Sequence, residues 1–441
     1  MQVPSELRSL LRLAAPILLV QLGQFAMAFV DAAMVGRVSQ QALAGIALGN
    51  MLVWGLFVFG QGVLAVLDAR VAHALGRGDG ARARATIQQG LALASFVSLP
   101  LMGIGFFAEP IFRALDQPND VLPLAVDYAR WAVPSLLPAL LFVALRQSLQ
   151  AMTTVRPIVV AVLLTNLLNF ALDAWLIFGG LGLPPLGVEG AAIATLVSRI
   201  AMTVLLAAIA WPLLRPLLRP FDWRMATPRT LLPLALAGLP VGCQYALELG
   251  AFSGSTTFLG WIGSEAQAAH TVALKLATAS FMVPLSISLA AAVRVGHALG
   301  RGDAPAARRA GLAAIVAGAV VMAGFGLAFL LLPQALARTI TDVAAVVTAA
   351  ATLTMIAGVF QVFDGIQVVC VGVLRGLGDT RTPFFVNVLG FWVLGIPVGL
   401  LLAFPAGLGA AGFWWGLVLG LATVAAILGL RVRRLFAAHR T

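Results

Sequence analysis

Arg70-Val71-Ala72-His73-Ala74-Leu75-Gly76-Arg77-Gly78-Asp79 recurs as Arg294-Val295-Gly296-His297-Ala298-Leu299-Gly300-Arg301-Gly302-Asp303, an offset of 294 − 70 = 224 residues. The same offset of 224 carries Pro16 onto Pro240, so one register runs from Pro16 through Asp79. A duplicated unit follows. Around both copies the chain is apolar: of its 441 residues, 61% are hydrophobic and 10% charged, and the mean hydropathy is +1.00. Charges this sparse cannot solvate a soluble protein of such size, so lipid is the solvent for most of the chain.

A hydrocarbon layer about 30 Å thick takes roughly 20 apolar residues as helix. The pattern predicts twelve such spans, at 13–35, 45–68, 89–108, 124–151, 157–179, 188–212, 233–258, 268–292, 310–332, 344–374, 383–404 and 410–431. The expected fold is therefore an all-α membrane protein with twelve transmembrane helices in two pseudo-symmetric six-helix bundles. Because six is even, both copies enter the bilayer from one side, as parallel repeats about an axis along the membrane normal. The basic stretch 212–229, with Pro212, Pro216, Pro220 and Pro228, reads as the linker between lobes 1–220 and 221–441. No small-residue cleavage site follows Arg8, Arg12 and the first span, so that helix is expected to be retained.

The net charge of +11 would suggest nucleic acid in a soluble protein, but topology accounts for it without such a partner. With both termini cytoplasmic, the inner segments hold Arg8 and Arg12; Arg70, Arg77, Arg82 and Arg84; Arg146 and Arg156; Arg215, Arg219, Arg224 and Arg229; Arg294, Arg301, Arg308 and Arg309; Arg375 and Arg381; and Arg431, Arg433, Arg434 and Arg440. The outer segments hold Arg37, Arg113, Arg130 and Arg338. One span more or fewer would reverse this bias for everything downstream. Cys243 and Cys370 fall inside apolar spans and are expected as buried thiols. His73 and His297, at matching helix ends among glycine and arginine, read as loop or capping residues rather than metal ligands, and the Arg-Gly-Asp at 77–79 gets the same reading.

A carboxylate at the bilayer centre costs roughly 2.5–3.5 kcal/mol on insertion scales, so each intramembrane acid needs a partner or a role. Asp31, Asp173, Glu248 and Asp364 are such acids. Counting along the helices puts Asp31 roughly 27 Å and Asp173 roughly 24 Å from their cytoplasmic ends, so they can face each other within one lobe. Asn169 lies four residues before Asp173 on the same face, and Thr195 reaches a comparable depth. Two carboxylates, an amide oxygen and a hydroxyl suit a shared proton or a small alkali cation such as Na+, not a soft transition metal. The competing reading is hydrogen bonding between helices.

In the second half, Glu248 shares a helix with Gln244 and Tyr245, and Asp364 lies between Gln361 and Gln367 at three-residue spacings. These polar stripes can line a cavity in which an acid meets a cationic compound or a proton, with Phe252, Phe360 and Phe363 as aromatic surface. Lys275, the only lysine, can instead neutralise one of these acids, and Arg199 poses the same alternative in the first half.

Four stretches carry a resemblance: Phe29-Val30-Asp31, Gly187-Val188-Glu189-Gly190-Ala191-Ala192, the Arg-Val-Gly-His-Ala-Leu-Gly of 294–300, and Gln367-Val368-Val369 followed by Leu374-Arg375-Gly376. With the twelve-span duplication, they are similar to the multidrug and toxic-compound extrusion (MATE) family over almost the whole chain. The second half resembles the NorM-like branch, whose acids matching Glu248 and Asp364 serve cation coupling and substrate handling. The resemblance also implies a coupling-ion site at Asp31, Asn169, Asp173 and Thr195, a bend of the first span at Pro16, and residence in a bacterial cytoplasmic membrane. NorM-like members often carry asparagine where this chain has Asp173 and an uncharged residue where it has Lys275.

The function expected is a monomeric secondary antiporter that exports cationic or amphipathic organic compounds against inward H+ or Na+, needing no organic cofactor. A primary pump would need Gly-x-x-x-x-Gly-Lys-Ser/Thr, and Lys275 has no such loop. A flippase for lipid-linked saccharides would want a basic cavity for pyrophosphate, whereas the central charges here are mainly acidic. An intramembrane transferase would need acidic metal motifs near a membrane surface.

Overall fold

The structure, a computed structural model, describes residues 3–115, 120–180 and 182–438. Arg440, counted above among the inner arginines, lies outside them. Among the described residues, twelve helices are long and apolar enough to cross a membrane: α1 (Glu6–Val35), α2 (Gln40–Gly76), α3 (Gly80–Phe106), α4 (Leu122–Ala151), α5 (Arg156–Phe178), α6 (Gly187–Ile209), α7 (Pro228–Gly260), α8 (Ser264–Gly300), α9 (Ala304–Leu331), α10 (Ala344–Gly376), α11 (Arg381–Ala403) and α12 (Gly409–Ala438). Every predicted span has its helix. Several run further than the apolar run alone predicts, because a helix continues past the hydrocarbon for as long as its backbone hydrogen bonds and caps allow.

The repeated decapeptide explains itself as a turn. α2 ends at Gly76 and α8 at Gly300, and Gly78 (φ 72°) and Gly302 (φ 73°) take the left-handed conformation that ends a helix cheaply. Asp79 then caps α3, accepting from Arg82 N at 2.8 Å, and Asp303 caps α9, accepting from Ala306 N at 2.9 Å. The turn after α10 closes with Gly378 N donating to Arg375 O at 3.0 Å and Asp379 N to Leu374 O at 2.9 Å. Its counterpart after α4 uses Thr153 N to Gln150 O and Thr154 N to Leu149 O, both 2.9 Å. There the left-handed residue is Thr153, at φ 57°, where Gly378 has 84°. A β-branched residue pays a steric cost in this region, so Thr153→Gly is expected to stabilise the protein by about 1 kcal/mol, read as a higher unfolding midpoint in detergent.

The chain forms two compact units. Unit 1 comprises Met1–Leu18, Ala72–Gly78 and Cys243–Thr441, and unit 2 comprises Leu19–Val71 and Asp79–Gly242. In unit 1, α10 packs against α8, α9 and α12. It does so through glycines seven apart: Gly358 lies against Gly326, Gly365 against Gly318 and Met322, and Gly372 against Ser288. Lipid supplies little hydrophobic drive for helix association, and small residues let backbones approach closely enough for dispersion to replace it. α11 contains a π-helical turn, Val388–Gly395, and Gly390, Gly395 and Gly399 meet Gly416 and Gly420 of α12. The side of α9 turned from this core carries exposed Val316, Val320, Leu327 and Leu331, an apolar stripe suited to lipid.

In unit 2, α5 packs on α6, α2 on α4, and α3 on α4. The stretch predicted as a plain linker is folded in part. Trp211–Leu218 is a short helix and Trp223–Ala226 a 3₁₀ turn. Gln88 of α3 holds the segment, donating to Leu217 O at 2.9 Å and accepting from Asp222 N at 3.0 Å. Arg84 adds a bond to Pro220 O at 2.5 Å. The short helix ends at Arg219, whose extended backbone is the conformation favoured before Pro220, and the buried glutamine converts the remainder into a docked strap.

In the turn between α10 and α11, Asp379 accepts from Arg431 Nε at 2.8 Å, Thr382 N at 3.1 Å and Thr382 Oγ1 at 2.8 Å. Burial alone would raise its carboxyl, but these hydrogen bonds and the Arg431 charge together hold it below the ordinary carboxylate value. A depressed folded-state value stabilises the fold above the unfolded pKa, and that stabilisation is lost as pH falls through the folded one. Asp379→Asn is thus expected to lower the unfolding midpoint at neutral pH, with the gap to the parent protein closing on acidification below about pH 4.

Candidate functional site: a buried acid pair

Two local features of the sequence set the depth of the site in unit 2. Gly187, at φ 54°, opens α6, and Gly190 lies so close to the Leu176 backbone that a Cβ would meet Leu176 C at 2.7 Å. Leu186 N donates to Leu176 O at 3.0 Å, closing the connection. The Gly187–Ala192 motif therefore draws α6 onto α5 at Leu176. Asp173, three residues before that contact on α5, and Thr195, five residues after Gly190 on α6, are brought to one level.

Asp31 of α1 completes the group. The single Thr195 Oγ1 hydrogen is shared between Asp31 Oδ2 at 3.2 Å and Ala191 O at 3.0 Å. Asp173 and Asn169 stand within reach of the same carboxyl. All four predicted residues meet, and Asp173, Asn169 and Thr195 are buried. Among the described residues, Asp31 Oδ1, both Asp173 carboxyl oxygens and Asn169 Nδ2 make no hydrogen bond. Two facing carboxyl groups with three oxygens lacking donors have the chemistry to share a proton or accept a small cation.

Two further residues belong to this setting. Tyr128 of α4 is buried beside Thr195, and Arg199, one turn beyond Thr195, is close enough to Asp31 and Tyr128 to act on both electrostatically. The Arg199 guanidinium is held in place: Nη1 donates to Ser135 Oγ at 2.7 Å, and the group lies over the Phe57 ring, 5.6 Å from its centroid. It is thus a fixed positive charge and not a closed ion pair with either acid. The sequence flagged Arg199 but missed Tyr128. The available signal was the rarity of tyrosine, which occurs twice in 441 residues and both times in an apolar span.

A cavity of about 320 Å³ between α1 and α5 is lined by Gly23, Met27, Val30, Asn166 and Asn169, among others. Asn169 is shared with the acid pair. Asn166, whose buried Oδ1 has no donor among the described residues, extends the polar stripe one turn along α5. Its three-residue spacing from Asn169 was legible in the sequence and went unread. Gly23 keeps this wall open, since a Cβ there would come within 3.1 Å of Asn166 Nδ2.

Unit 1 holds the second cluster. Glu248 Oε1 accepts from Gln244 Nε2 at 3.0 Å and Gln367 Nε2 at 3.3 Å, and Gln367 also donates to Asn387 Oδ1 at 3.3 Å. Asp364 is buried within electrostatic reach of Glu248. Tyr245 accepts a 3.4 Å bond from Arg375, whereas Gln361 donates to Ser280 Oγ at 2.7 Å. Phe252 packs edge-on against Phe360 and Phe391, with centroids 6.3 and 5.6 Å apart. Lys275 is exposed and makes no ion pair with Glu248 or Asp364 among the described residues. Pro16 is half-buried inside α1. Cys243 and Cys370 are both free thiols, Cys370 buried and Cys243 half-buried.

The sequence model of the MatE family matches this chain twice, at residues 16–175 and 240–401, and each match begins at one of the two equivalent prolines. The chain is 39% identical over 432 residues to a probable multidrug resistance protein NorM of Bradyrhizobium diazoefficiens, covering 96% of this chain and 92% of that protein. A protein of the same name from Pseudomonas putida is 37% identical over 442 residues, with 96% and 93% covered. Among solved structures, the eukaryotic MATE transporter AtDTX14 superposes with a TM-score of 0.87 at 22% identity, covering 100% of this chain and 99% of that one. The Vibrio cholerae MATE transporter VcmN in its bent form gives 0.86 at 20% identity, covering 99% and 98%. Those structural matches support the fold. Taken with the family match across both repeats and the extent of the NorM similarity, they establish that this multi-pass membrane protein belongs to the MATE family of multidrug efflux transporters.

Proposed function

We propose that the protein is a secondary antiporter in which H+ or Na+ enters at Asp31, Asp173, Asn169 and Thr195 and drives export of cationic or amphipathic organic compounds. The observation that carries this reading is the facing pair Asp31 and Asp173, with three carboxyl oxygens that no donor satisfies among the described residues. Their two negative charges against the single fixed charge of Arg199 leave a deficit of one, which one monovalent cation per cycle would fill. The Asn169 and Asn166 cavity offers that ion a polar wall on its approach.

Substrate is assigned to the second cluster. Glu248 and Asp364 would recognise the positive charge of a compound, Gln361, Gln367 and Tyr245 would supply hydrogen bonds, and Phe252 and Phe360 would offer ring faces to its apolar part. Lys275, placed outside this group, would bear on it through long-range charge. Coupling is then a difference in affinity: ion binding favours one arrangement of the protein and compound binding another. Pro16 removes a backbone hydrogen bond from α1, the helix that bears Asp31, and so would ease its bending. A monomer in a bacterial cytoplasmic membrane with both termini inside accommodates all of these roles. Dye efflux from proteoliposomes under separately imposed Na+ and pH gradients tests the reading. Acceleration by one gradient identifies the ion, and indifference to both rejects antiport.

A further inference from the structure

The two arginines that open the repeated decapeptide each reach the first helix of the other repeat. Arg294 of α8 forms an ion pair with Glu6, at the start of α1. Arg70 of α2 donates to Pro233 O, near the start of α7, at 3.3 Å. Each therefore reaches from the second helix of one repeat to the first helix of the other. The packing follows the same exchange. α1 up to Leu18 and the end of α2 with its turn, residues 72–78, belong to unit 1, while α7 up to Gly242 belongs to unit 2. The breaks at 18/19 and 242/243 are 224 residues apart, and each lies two residues beyond its proline, Pro16 or Pro240.

Backbone contacts reinforce these ties. A Cβ on Gly76 would meet Gly300 Cα at 3.0 Å, and one on Gly300 would meet Gly76 Cα at 2.9 Å, so the same position of both repeats packs face to face. A Cβ on Gly242 would meet Phe59 O at 2.8 Å and Val63 Cγ2 at 2.7 Å. An ion pair, a carbonyl bond and the approach of Gly76 to Gly300 thus fasten helix ends of the two sequence halves on the side that the arginine distribution makes cytoplasmic, and the Gly242 contact joins α7 to α2 deeper within the spans.

We propose that the repeated decapeptide is a cytoplasmic latch: Arg70, Arg294, Gly76 and Gly300 hold the inner helix ends together, and exposing the ion site to the cytoplasm requires release of Arg294 from Glu6. Both arginines are positioning residues, acting on the population of the closed state and not on ion or compound directly. The latch is asymmetric. One copy holds a carboxylate and the other a carbonyl oxygen, so charge substitutions act on the Glu6 side alone. Glu6→Gln favours the inward-open state, and the apparent affinity for external coupling ion falls about fivefold, the size expected for one partly exposed ion pair. Glu6→Arg combined with Arg294→Glu restores it, which repair of a merely structural contact elsewhere would not do.

The inference rests on the antiport reading, and one protein separates the two. Glu6→Cys and Arg294→Cys are introduced after Cys243→Ser and Cys370→Ser, and exchange is measured in proteoliposomes before and after a short bis-methanethiosulfonate cross-link. The reduced protein exchanges, the cross-linked protein falls to the level of protein-free vesicles, and dithiothreitol restores it. The same reagent on the Arg294→Cys protein alone has no effect. Full exchange by the cross-linked protein overturns the latch and leaves antiport standing, whereas no exchange before cross-linking, with the cysteine-free parent equally inactive, removes the antiport reading itself.

Discussion

Asp31→Asn is expected to reduce ion-driven efflux by about 100-fold, the upper end of an allosteric coupling of 1–3 kcal/mol. Asparagine keeps the shape of the side chain and an oxygen to accept from Thr195, so the helices α1 and α6 stay joined as in the parent. What it removes is the charge. With Arg199 fixed on Ser135 and Phe57, a single remaining carboxylate is already balanced, and a mobile cation gains nothing by entering. Binding of a fluorescent compound to the detergent-purified variant should be unchanged, because Glu248 and Asp364 lie in the other unit. Normal gradient-driven efflux by a well-folded Asp31→Asn protein would remove this pair as the coupling site.

The second large effect concerns the fold. Gly416→Leu should destabilise the protein by about 3 kcal/mol, the upper part of the range for overpacking a well-filled contact. A Cβ at Gly416 would come within 2.6 Å of Gly395 O and overlap the Gly399 backbone, and backbone cannot move aside as a side chain can. The contact joins α12 to the π-helical turn of α11, so its loss opens the wall that holds Asn387 and, through Gln367, Glu248. Gly429→Leu, on the same helix with nothing within 4 Å of its Cβ, is the matched control and should leave the unfolding midpoint unaltered. Equal midpoints for the two variants would show that α11 and α12 do not depend on this approach.

Much of this architecture was legible before any coordinates. Hydropathy counts spans because the bilayer imposes one length on every crossing, and the decapeptide fixes the duplication because its glycines and aspartates are demanded by turn and cap geometry. The acids announced themselves by cost alone: a carboxylate in an apolar span has few tolerable environments. Depth arithmetic could bring Asp31 and Asp173 to one level, since helix rise is constant.

Level is not contact, however. Whether Asp31 turns toward α5 and α6 depends on rotation about the axis of α1, and it is the bond from Thr195 that shows the direction taken. Tyr128 enters the group, and Lys275 stays exposed, for the same reason: lipid and protein interior are nearly equally apolar, so hydropathy along a membrane helix says little about which face turns inward. The linker around Gln88 and the π-helical turn of α11 likewise follow from partners distant in sequence. Sequence by itself determined the number of crossings, their duplication and the residues too costly to be idle. Only tertiary packing decided which of those residues meet, because close contact between membrane helices is set by where two backbones can approach, a property of pairs of helices and not of either one alone.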